Sequence, residues 1–167
     1  MNKICNTLPP PVRREAIVVL NGTVADLFDL FARIKQAHWN VRGTTFTGLH
    51  KLLDGFAART LNHIDIAGER ATASGGIVEG TLRESVKHSR LKKKEEPSST
   101  SGMSDWIHVL ADVHTAAGEC VRAAVKKLTA AGDFGSADLL MDVLRTLERD
   151  LQLWLLEVHI NRQQPSP

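Results

Sequence analysis

The chain has 167 residues, 43% of them hydrophobic and 24% charged, and 21 basic against 19 acidic residues leave a formal charge of +2. That length accommodates one hydrophobic core rather than two, and no apolar run approaches the roughly 20 residues a membrane helix needs. The near balance of charge excludes a whole-molecule field for gathering nucleic acid, so any such binding must be local.

In chain order, MNKICNTLPPPVRRE lacks the apolar stretch of a secretory signal, which makes the cytoplasm the expected compartment. Cys5, in a tail, and Cys120, on a core face, fit a reducing compartment better than a disulfide. Residues 1–10 read as a flexible tail, 11–162 as one helical bundle and 163–167 as a short polar tail. LPPP cannot be helix interior, and Pro11 suits an early helical position. From there Ile17, Leu20, Val24, Leu27, Phe31 and Ile34 alternate spacings of three and four, which makes one buried stripe whose next member is His38. Gly43, Thr44 and Thr45 supply a short turn, with either threonine able to cap the next helix.

A second helix is predicted from about Phe46 to Ser74, with Leu49, Leu53, Phe56, Thr60 and Ile64 on its core face and Gly75-Gly76 ending it. Residues 77–89 have room for a short helix, and RLKKKEEPSSTSG at 90–102 reads as a solvated loop. The third long helix follows from Ser104 through Ile107, Leu110, Val113, Ala117, Cys120, Ala124 and Leu128. Ser136 is placed to cap a fourth, whose stripe is Leu140, Leu144, Leu147, Leu151, Trp154 and Val158. Four long helices, two short links and one long crossover predict an all-α four-helix bundle with ferritin-like connectivity.

Some polar residues do not belong beside those stripes. On the second helix His50 and Asp54 are four apart, as are Asp65 and Glu69, and the four share an arc of roughly 100°. Imidazole and carboxylate together suit iron or zinc better than calcium or magnesium, which prefer oxygen alone. Asp54 and Asp65 are roughly 16 Å apart along the axis, yet ligands of one metal with bonds near 2.1 Å must approach within about 4–5 Å. One chain therefore cannot use both pairs at one ion. Antiparallel packing of this helix on its copy in a second chain would close two identical sites, and His38 could add a nitrogen across the short turn. The chain contains no Glu-x-x-His motif of the kind that builds a di-iron centre within one bundle, which favours the shared arrangement. The bland alternative is a hydrogen-bonded structural histidine beside solvated acids, with Asp65 pairing with Arg59 or Arg70.

The spaced motif in AHWNVRGTTFTGLHKLLDG and HIDIAGERATASGG resembles the signature of the Dps family, the mini-ferritins or DNA-binding proteins from starved cells. The similarity is densest from Leu20 to Gly80 and continues more weakly into DLQLWLLEVHI. The resemblance implies a four-helix subunit with a short extra helix in the long crossover, and a homo-oligomeric shell of twelve subunits. It implies a ferroxidase that oxidises Fe(II), preferentially with hydrogen peroxide, and stores the ferric mineral. Carried over, the metal ligands are His38, His50 and Asp54 of one chain with Asp65 and Glu69 of its two-fold mate, and zinc is a substitute for iron. Trp39 matches the tryptophan beside the centre, where an oxidisable indole intercepts stray oxidant; core packing is its equal alternative.

For an iron-access pore the resemblance offers Asp138 and Asp142, although Phe134 stands where some members have an acid and a first-turn acid also stabilises a helix N-terminus unaided. DNA is the remaining partner to weigh. Members that condense it often carry a lysine-rich tail, whereas here Lys3, Arg13, Arg14 and Arg162 are all the ends supply. Lys92, Lys93 and Lys94 run directly into Glu95 and Glu96. Weak, salt-sensitive DNA binding through many copies is the most this pattern predicts, and a nucleoid-binding protein with secondary iron chemistry is the alternative function.

Overall fold

A computed structural model describes residues 6–42, 46–91, 97 and 103–162, except the side chains of residues 46, 103, 104 and 154–162. Regular structure among them is entirely helical: α1 (Pro10–Asn40), α2 (Phe46–Ala73), α3 (Leu82–His88), α4 (Met103–Ala131) and α5 (Phe134–Arg162). Prolines occupy the first positions of α1, where a missing N–H removes no intrahelical bond.

The ends of α2 and α4 are built alike. Gly75 and Gly132 take φ values of 89° and 84°, and after each the chain folds back on the last helical turn. Gly76 N–H donates to Ala71 O at 3.0 Å and Asp133 N–H to Leu128 O at 3.0 Å, the Schellman pattern that satisfies orphan carbonyls. Gly76 is also confined by its neighbours, since a Cβ there would lie 2.7 Å from the Ile17 side chain on α1. The cap of α5 differs from expectation. Asp133, not Ser136, caps it: Asp133 accepts from Ser136 N–H at 3.0 Å and from the Ser136 hydroxyl at 2.6 Å. A carboxylate one turn earlier accepts both donors, which a serine already inside the helix cannot do.

Ion pairs fix the topology. Lys127 Nζ lies 3.5 Å from Glu15, so the end of α4 meets the start of α1. Arg70 reaches Asp133 at 3.0 Å, so the end of α2 meets the start of α5. Neighbouring long helices are thus antiparallel, while α2 and α4 run parallel and need a connection spanning the bundle. That crossover carries α3, which packs on α1, so the ferritin-like bundle with a short extra helix is the observed fold. Asp26, fully buried on α1, anchors it by accepting from Arg90 N–H at 2.6 Å, Nε at 2.9 Å and Nη2 at 2.5 Å.

Ile17, Phe31, Cys120 and Leu151 are half-buried, but most of the expected stripe positions form the core: Leu20, Leu27, Ile34, Leu53, Phe56, Leu110, Leu128 and Leu140 are essentially inaccessible, and Leu30, outside the expected stripe, joins them. Each such burial contributes about 1.5–3 kcal/mol. Among the described residues no helix is long and apolar enough to cross a membrane. The cap role of Thr44 or Thr45, the Lys92–Lys94 run, residues 1–5 with Cys5, residues 163–167, and the Trp154 and Val158 side chains lie outside what is described.

Candidate metal centre

The short link between α1 and α2 brings the last turn of one helix against the first turns of the next. His38, 6% exposed, ends the α1 stripe. Its ring stacks on that of His50 with centroids 3.6 Å apart at 30°. His38 Nδ1 lies 3.3 Å from the His50 carbonyl oxygen and 3.4 Å from Asp54 Oδ1. One ligand atom from each of His38, His50 and Asp54 falls within 4.8 Å of the others. Two imidazoles and a carboxylate so placed fit a first-row transition ion, and three protein ligands leave its shell incomplete.

The electrostatics favour metal-ready forms. Burial pushes the His38 imidazole below its ordinary value, against the opposing pull of Asp54, and a neutral ring retains the lone pair a metal needs. Asp54 is held below the usual carboxylate range chiefly by its hydrogen bond from Lys35, whose Nζ lies 3.0 Å from Oδ1. Lys35 was missed at the sequence level. The available signal was its position one turn before His38 on the same helix face.

Asp65 and Glu69 are exposed farther along α2 and make no ion pair among the described residues. The arginines offered to Asp65 are otherwise engaged: Arg59 binds Asp150 at 2.7 Å, and Arg70 binds Asp133 at 3.0 Å and the Ser136 hydroxyl at 2.8 Å. Pairing of Asp65 with either is therefore corrected. The fold gathers three of the five expected ligands within one chain and leaves the other two apart on an exposed face. Trp39 is 70% exposed with Lys35 Nζ 5.9 Å from its ring centroid, so core packing within the subunit is not its role. Asp138 and Asp142 are exposed one turn apart on α5 beyond the exposed Phe134, and Asp142 is paired with Arg145.

Comparison with known proteins adds an independent line. The ferritin-like domain model matches residues 17–163. A DNA protection during starvation protein of Agrobacterium fabrum is 32% identical over 162 residues, covering 97% of this chain and 98% of that one. DpsC from Streptomyces coelicolor is similar at a TM-score of 0.87 with 26% identity, over 99% of this chain and 93% of that one. An archaeal Dps homologue from Halobacterium salinarum, at 22% identity, supports the fold alone: TM-score 0.80 over 88% of this chain and 81% of that one.

Proposed function

This chain belongs to the Dps branch of the ferritin-like family, and from that premise we propose that it is a ferroxidase and iron-storage subunit. Its substrate is Fe(II), oxidised by hydrogen peroxide at a centre shared between two copies, and the ferric product is held as mineral inside a shell of twelve. The observation that carries the reading is the division of the ligands. His38, His50 and Asp54 converge, while Asp65 and Glu69 stand 11 and 15 residues on from Asp54, the nearer about 16 Å along one helix. Three groups make half a shell, and an antiparallel second copy supplies the other half at each of two symmetric sites.

The chemistry asked of these residues is modest. The imidazoles and carboxylates hold Fe(II) with few strong ligands, which leaves positions for the oxidant, and the carboxylates stabilise the ferric product. Two Fe(II) ions each give one electron to one peroxide, its O–O bond breaks, and two protons complete two waters. Delivery of both electrons avoids the hydroxyl radical that a single Fe(II) would release. Trp39, next to His38 in the chain and 70% exposed, gives up an electron to a stray oxidant before it spreads in this reading.

Asp65→Asn tests this directly. The particle should keep its mass while peroxide-driven Fe(II) oxidation slows at least about tenfold, because even outer-shell partners of ligands are worth 10- to 100-fold. Unchanged kinetics would remove Asp65 from the ligand set and the shared site with it.

A further inference from the structure

A second convergence of metal-binding groups lies beside α3, near Asn21 and so about 25 Å along α1 from His38. Glu84 and His88 are one turn apart on α3 and therefore adjacent, and Glu79 approaches from the link before it. His88 Nε2 is 3.5 Å from Glu84 Oε2 and 3.8 Å from Glu79 Oε2. The three ligand atoms lie within 4.8 Å of one another. Two ligands of a tetrahedral ion with bonds near 2.1 Å are about 3.4 Å apart, so the spacing already approaches that of a coordinated set.

The parts are held in place by other contacts. Glu79 N–H donates to Asn21 Oδ1 at 3.0 Å, and Asn21 Nδ2 donates to Ile77 O at 3.0 Å, which pins the link to α1. Glu84 N–H donates to the Thr81 hydroxyl that caps α3, at 3.2 Å. Lys87 Nζ occupies Glu84 Oε1 at 2.7 Å, which leaves Oε2 turned toward His88. Glu79 and His88 also line an open groove of about 570 Å³, with room for water ligands.

We propose that Glu79, Glu84 and His88 form a binding site for a divalent first-row transition ion, with water completing its shell. One nitrogen and two carboxylates select such an ion over calcium or magnesium. The bound ion clasps the link to α3.

Zinc calorimetry on the His38→Ala/His50→Ala protein isolates the site. One zinc per chain is expected, lost on adding His88→Ala and weakened at least tenfold by Glu79→Gln. In the unaltered chain, His88→Ala should lower bound zinc by one per chain with unchanged helical ellipticity. Zinc uptake that is absent in the double variant, or indifferent to His88→Ala in either background, would overturn the proposal. Neither readout involves iron oxidation, so its failure is distinct from failure of the shared ferroxidase centre.

Discussion

The Lys35 ammonium and a metal ion compete for one carboxylate. Lys35 donates to Asp54 Oδ1 at 3.0 Å, and Asp54 is exposed, so solvent screens their attraction and leaves it weak. Lys35→Met should therefore tighten zinc binding at the His38–His50–Asp54 centre about two- to fivefold, as measured by titration in the Glu79→Gln background. Looser binding would show that Lys35 positions Asp54 instead of competing for it. The contrast in legibility at this scale is physical. The helical period fixes the separation of His50 and Asp54, so their adjacency was readable in the sequence. Contact between Lys35 and Asp54 depends on how the last turn of α1 settles on the first turns of α2, which no local spacing encodes.

Among the elements, the crossover depends most on one residue. Asp26 accepts three bonds from Arg90 at full burial, and no aliphatic substitute can satisfy that backbone N–H. Removing one partner of a buried pair costs about 3–5 kcal/mol. With Arg90 42% exposed, about 2–3 kcal/mol is expected for Asp26→Ala. Chemical denaturation should register that loss, and limited proteolysis should cut the crossover first. Helix extents and the glycine stops were legible because periodicity and positive φ are local demands. The cap of α5 was not, because Asp133 and Ser136 both suit the position locally. Arg70, more than 60 residues away, binds both and so does not decide between them; the choice falls to Asp133 because its carboxylate accepts from the Ser136 N–H and hydroxyl together.

For the whole molecule, a site divided between copies predicts complementation. A His38→Ala/His50→Ala chain and an Asp65→Asn/Glu69→Gln chain should each be inactive. Unfolded together and reassembled at equal amounts, random pairing at two-fold contacts restores about one quarter of the sites. Iron oxidation by peroxide should recover to that fraction; no recovery would exclude the shared centre. The proposal that a second copy is needed rests on distance alone, because 11 residues of continuous helix cannot fold back on themselves. The number of copies was not readable, because closure depends on contact angles that one chain does not carry.

The uninterrupted run of α2 from Phe46 to Ala73 makes that stretch a ruler. Eleven residues are close to three whole turns, so both halves face the same way; one inserted residue would rotate the far half by about 100°. Loops other than the α1–α2 link can lengthen or shorten without touching the proposed centre, but between Asp54 and Asp65 the reading distance it requires is fixed to the residue.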